Sequence, residues 1–114
     1  MTNLILQSKI PSKKNSYRLS KAGGMYKPAK ITEFEELVQM EVLVQKTQSV
    51  PGTFSLKGKF YLSKTADLDN ATTTLLDCLE KAGVIENDKL LVHLDVWKIV
   101  QPKRFGCEVT LTAV

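Results

Sequence analysis

Three aspartates, Asp67, Asp69 and Asp88, bracket one short predicted helix within Thr65–Asp88. Carboxylates gathered in one place repel, so a cation or a set of backbone donors has to offset the cost. If Asp67 and Asp69 lie at the extended end of the strand before the helix, their i, i+2 spacing puts both on one face. Asp88 leaves the far end of the helix and returns to the same edge if the next strand pairs nearby. Three converging carboxylates offer hard oxygen ligands suited to Mg2+ or Mn2+. An ion held that way can activate water and stabilise the transition state of phosphodiester hydrolysis.

A structural reading competes with this one. Asp69 or Asn70 could cap the helix, Asp67 could add about 0.3–1 kcal/mol through the helix dipole, and Asp88 could be a turn residue. An EF-hand is excluded: counting from Asp67, Thr72 stands where the loop needs glycine and Cys78 where it needs glutamate. Spacing alone leaves both readings open.

The elements that must position these acids follow from periodicity. Residues 3–8 read as a short strand ended by a turn at Ile10–Ser12. Residues 12–30 lack periodicity and hold Gly23-Gly24 and Pro28, which predicts a long loop with a small hairpin at the glycines. Thr32 and Glu35 have the spacing of a capping box, and Phe34, Leu37, Val38 and Val42 form an apolar stripe that ends before Val50–Gly52. Residues 53–63 alternate Phe54, Leu56, Gly58, Phe60 and Leu62 against Lys57, Lys59 and Tyr61, a half-buried strand. The second helix runs from about Asn70 to Ala82, with Ala71, Leu75, Cys78, Leu79 and Ala82 inward and Gly83 as its stop. Strands at about Leu90–Val100 and Phe105–Ala113 complete the order β-α-β-α-β-β. The expectation is an α+β fold in a single domain, residues 1–114, with two helices packed on one sheet.

Composition bounds the partners. At 114 residues the chain can bury a modest core without staples, and 43% hydrophobic with 25% charged residues is an ordinary globular balance. No run is long enough to suggest a signal peptide or membrane span. Cys78 and Cys107 make neither a disulfide framework nor a metal spacing, which suits reduced core residues of a cytoplasmic protein. The net charge of +4 is uneven: residues 1–64 hold eleven Lys/Arg against four Glu, and residues 65–114 hold five against eight Asp/Glu. Lys9, Lys13, Lys14, Arg18, Lys21, Lys27 and Lys30 follow one another with no acid between them. A basic lobe beside an acidic cluster suggests a polyanion held near a cation site; a solvated basic loop is the plain alternative.

"DLDN" at Asp67–Asn70, the helix carrying "LLDCLEKAGVI", then "ND" and a hydrophobic strand together resemble the RusA family of Holliday junction resolvases. "IPSKKNSY" at Ile10–Tyr17 is similar to that family's opening stretch. The likeness spans most of the chain in the right order. It implies a small mixed sheet of about four strands with two helices, a homodimer, and Mg2+-dependent cutting of four-way DNA junctions by paired phosphodiester hydrolysis. The family's metal-binding aspartates fall on Asp67, Asp69 and Asp88; Asp77 is a further acid of the family-like helix. Asn87 stands where many relatives carry an acid. Lys13, Lys14, Arg18 and Lys21 are the expected phosphate contacts, with Asn15 ordering the loop and Tyr17 stacking, contacting phosphate or anchoring in the core.

One departure matters. The family's lysine four residues after the second aspartate is Thr73 here. A threonine donates one hydrogen bond and neutralises no charge. Either the enzyme is weakened, leaving a junction-binding or branched-DNA-binding protein with little or no cutting, or Lys64, Lys81 or Lys89 supplies the cation. His93 reads as an ordinary strand histidine, and Trp97, on the same face as His93 and Asp95, as a residue of the dimer contact or one packed under a loop.

Overall fold

The computed structural model describes residues 1–11, 18, 19, 25, 26 and 29–114, the second and third of these stretches by backbone alone. Strand β1 (Thr2–Leu6) opens the chain. The two-residue strands β2 (Arg18–Leu19) and β3 (Met25–Tyr26) pair antiparallel, as the small hairpin expected there requires, and Gly23-Gly24 themselves lie outside the described residues. Helix α1 (Ala29–Val44), strand β4 (Phe54–Tyr61), helix α2 (Leu68–Lys81), strand β5 (Leu91–Ile99) and strand β6 (Gly106–Ala113) follow.

Four strands form one mixed sheet in the order β1-β6-β4-β5. β6 pairs antiparallel with both β1 and β4, whereas β4 and β5 run parallel. Parallel neighbours need a crossover, and α2 supplies it. The alternation in β4 sets the faces: Phe54, Leu56 and Phe60 are fully buried, and Lys57 and Lys59 are exposed on the other side. Leu4 and Leu6 of β1 and Cys107, Val109 and Leu111 of β6 extend the buried face. Phe34, Val38 and Val42 of α1 and Leu75, Cys78 and Leu79 of α2 join them in one core. Gly58 of β4 is half-buried against β6, where a Cβ would come within 2.3 Å of the Glu108 carbonyl oxygen.

The inward faces agree with the periodicity, but both helices start early. α1 begins at Ala29, three residues before Thr32, so no acid stands in its first turn and the capping box does not form. With the helix already under way, Glu35 falls one turn after the buried Ile31 and beside Phe34 on the inward face. It is 7% exposed and makes an ion pair with Lys81 of α2, tying the two helices together. A buried carboxylate has to find such a partner, because an unpaired charge there would cost several kcal/mol, of order 3–5. α2 starts at Leu68, two residues early, and its C-terminus follows the expectation: Gly83 has φ 79°, the left-handed conformation that lets the chain turn back.

Candidate active site

β4 ends at Tyr61, and a turn through Ser63–Ala66, closed by the Ala66 amide on the Ser63 carbonyl (3.1 Å), precedes α2. Asp67 therefore does not continue the strand. It is the N-cap of α2 in extended conformation (φ −92°, ψ 125°), and Asp69 lies inside the first turn. The expectation that both acids project from one strand face gives way to a helix start, because the turn takes the chain out of the sheet first. Both carboxylates are exposed.

Asp67 holds the capping position without acting as a cap. Its carboxylate accepts no hydrogen bond from the first-turn amides; among the described residues it accepts from Asn70 Nδ2, at 3.3 Å. An N-cap aspartate bonded to the N2 or N3 amide contributes about 1 kcal/mol, so a carboxylate turned away from those donors leaves its oxygens open to another ligand. The amides at this helix end carry partial positive charge and attract anions.

A cavity of about 170 Å³ beside Asp67 is lined in part by Ile10, Pro11, Leu62, Thr65 and Asn70. A second, of about 550 Å³, is lined by residues including Lys9, Pro11, Lys30, Glu33 and Ala66. The basic segment thus leaves β1 and enters α1 at the same end of the molecule as Asp67 and Asp69. Lys13, Lys14, Asn15, Tyr17 and Lys21 lie outside the described residues, and Arg18 is described only as a backbone position of β2 paired with Tyr26.

Asp88 is elsewhere. β5 begins alongside Phe54, where β4 begins, so the chain must run back along α2 before reaching it. A 14-residue helix is about 21 Å long, and Asp88 follows its far end. There it opens a short 3-10 turn, Asp88–Leu90, capped by Asn87 through an Oδ1 bond from the Lys89 amide at 2.9 Å. The Asp88 amide itself donates to Glu80 Oε1 at 3.1 Å. Within one chain the three aspartates do not converge, and among the described residues no three His, Cys, Asp or Glu side chains group as metal ligands. Parallel pairing of β4 with β5 is the physical reason, since it forces the two ends of the crossover helix to opposite ends of the sheet.

The other named residues divide by the same geometry. Thr73 is exposed and donates its hydroxyl to the Asp69 carbonyl at 2.9 Å, so its one proton is already committed. Asp77 is half-buried midway along α2. Lys81 ends α2 and pairs with Glu35, and Lys89 sits beside Asp88. Only Lys64 of the three expected cations is at the Asp67 end.

A lysine that the sequence reading missed is also there. Lys98 of β5 donates to the carbonyls of Lys64 at 2.9 Å and Ala66 at 2.5 Å, the latter immediately before Asp67. Alternation held the signal: if His93, Asp95 and Trp97 share one face, Val96 and Lys98 share the other, where Val96 packs on the core and a lysine is out of place unless its ammonium has partners.

Comparison with known proteins agrees with this architecture. The family model for endodeoxyribonuclease RusA matches residues 9–112. A crossover junction endodeoxyribonuclease RusA of Aquifex aeolicus (strain VF5) is 32% identical over 104 residues, covering 87% of this chain and 82% of the relative. The matched span runs from the root of the basic segment through both acidic sites to the last strand, and on that ground the chain belongs to the RusA endodeoxyribonuclease family.

Proposed function

We propose that the protein is a homodimeric, divalent-metal-dependent endonuclease that resolves four-way DNA junctions. Family membership supports DNA as the substrate and phosphodiester cutting as the reaction. The observation that carries the metal reading is the carboxylate of Asp67, turned away from the helix amides, next to Asp69 and to the root of a basic segment. Hard oxygen donors of this kind fit Mg2+ or Mn2+. A bound ion would supply Lewis-acid polarisation of the scissile phosphate and an activated water for in-line attack. The first-turn amides of α2 attract the phosphate, the basic segment neutralises flanking backbone charge, and Asp67 and Asp69 provide ligand oxygens.

Asp88 is out of reach in its own chain, and the dimer supplies a route. β5 is the sheet edge opposite β1 and exposes Val92, Leu94 and Trp97, the last at 67%. An exposed edge strand with apolar side chains invites pairing with a second copy. Two-fold antiparallel pairing of β5 about Asp95 sets Leu91 of one protomer against Ile99 of the other, and Ile99 neighbours Tyr61, where β4 ends. The Asp88 of one chain then approaches the Asp67–Asp69 end of its partner. Two such sites related by a two-fold axis suit two opposed strands.

A second reading is favoured by Thr73: a junction-binding protein with weak or lost cleavage. Its bond to the Asp69 carbonyl removes the one donor that a threonine brings in place of the family lysine. One experiment separates the two. A synthetic four-way junction is incubated with and without Mg2+ and the parent, Asp69→Asn or Thr73→Lys. The nuclease reading expects Mg2+-dependent paired cuts by the parent, at least a hundredfold loss in Asp69→Asn, and retained junction binding. Parental cutting by Asp69→Asn would remove Asp69 from the site. No cutting by the parent but cutting by Thr73→Lys would favour the second reading.

A further inference from the structure

A lysine on the core-packed face of an edge strand needs a reason to be there, and Lys98 has one in its two acceptors. Its ammonium joins the end of β5 to the turn that precedes α2, donating to Lys64 and Ala66 carbonyls 34 and 32 residues away in sequence. Among the described residues, the turn's other backbone bonds are the Ala66 amide on the Ser63 carbonyl and, just before it, the Leu62 amide on the Ile99 carbonyl. A lysine ammonium has three donors. Two are used here, both on the turn that leads into Asp67. A bond to the Ala66 carbonyl also fixes the plane of the Ala66–Asp67 peptide, the one that carries the Asp67 amide.

We propose that Lys98 is a positioning residue for the carboxylate site: it holds the Ser63–Ala66 turn against β5, so that Asp67 enters α2 with its carboxylate turned outward. This rests on the nuclease reading for its purpose but not for its geometry. No covalent step is assigned to Lys98. Its effect runs through the backbone that leads into Asp67.

The test compares the full chain with Lys98→Met, which keeps the stem and removes the donors, and Lys98→Arg, which keeps charge and donors. Amide hydrogen exchange at Ala66 and Ala71, whose N–H groups bond the Ser63 and Asp67 carbonyls, and Mn2+ affinity by titration are read together. In Lys98→Met, exchange at Ala66 and Ala71 should accelerate at least tenfold while Leu4 and Leu111 in the far strands keep parental rates. Mn2+ affinity should fall about tenfold, and junction binding in Ca2+ should stay within about threefold. Lys98→Arg should recover both readouts to within about threefold. Parental exchange at Ala66 and Ala71 in Lys98→Met would overturn the proposal, as would equal acceleration throughout the sheet, which marks a general loss of stability. If Lys98→Met does not fold, a folded Lys98→Arg with more than tenfold loss of Mn2+ affinity overturns it, and parental behaviour supports it. A parent that binds no Mn2+ would sink the metal reading, and the exchange pattern would still decide the role of Lys98.

Discussion

Asp67 shows how a single residue can have the right type for one task and the geometry for another. Aspartate is among the best N-caps, yet this one withholds its carboxylate from the first-turn amides. Thr73 does the reverse, spending its hydroxyl on the backbone of the very residue it was expected to assist. Cys107 gives a test at the same scale that is independent of catalysis. It is fully buried, and burial pushes its thiol up to about 12. An exposed thiol in the unfolded chain titrates near about 8.5. Between those values the unfolded chain has released a proton that the folded chain retains, so stability falls as pH rises, by about 1.4 kcal/mol per unit. Below about pH 8.5 the contribution is fully present. Urea unfolding from pH 8 to 11 should have a steeper alkaline loss in the parent than in Cys107→Ala, whatever their difference at neutral pH. Parallel curves would mean that the thiol is hydrated.

Among the elements, the β4–α2–β5 crossover decides where the acids go, and the β1–β6 edge decides how the sheet closes. Gly106 starts β6 at φ 116°, and a Cβ there would fall within 1.9 Å of the Leu6 carbonyl oxygen. Such overlap is with backbone and cannot be relieved by a side-chain rotation. Gly106→Ala should therefore cost at least about 2 kcal/mol in urea denaturation, from strain at positive φ together with a displaced β1. An effect below about 0.5 kcal/mol would mean that β1 pairs more loosely than its five-residue register suggests. The Glu35–Lys81 pair belongs here as well: it ties α1 to the end of α2 opposite Asp67, so Lys81 serves packing.

At the scale of the whole molecule, the separation of Asp88 from Asp67 and Asp69 makes the dimer a chemical requirement of the proposed function. A mixing experiment tests this directly. Asp69→Asn and Asp88→Asn are each expected to be inactive as homodimers. If each site draws Asp88 from the partner, a mixed dimer has one site with both substitutions and one with none. Mixing the two variants should then restore single-strand nicking of a four-way junction, to about half the parental rate per dimer for the first cut. If every site were built within one chain, each site of the mixed dimer would carry one substitution and no activity would return. Exchange of subunits is verified by mass before the assay, so silence after mixing counts against the shared site.

Much of this protein was legible as a string. The alternation of Phe54, Leu56 and Phe60, the stripe through Leu75, Cys78 and Leu79, and Gly83 as a stop are local periodicities, and local periodicity survives without knowledge of the fold. The acid types and the basic run at Lys9–Lys30 were equally plain. Tertiary structure alone decided the rest, for it depends on contacts between residues far apart in the chain. The inward turn of Glu35 follows from a helix that begins early and meets Lys81. The bond from Lys98 to Ala66 exists because β5 ends beside β4. Asp88 lies across the molecule from Asp69 because parallel strands require their connecting helix to return the full length of the sheet.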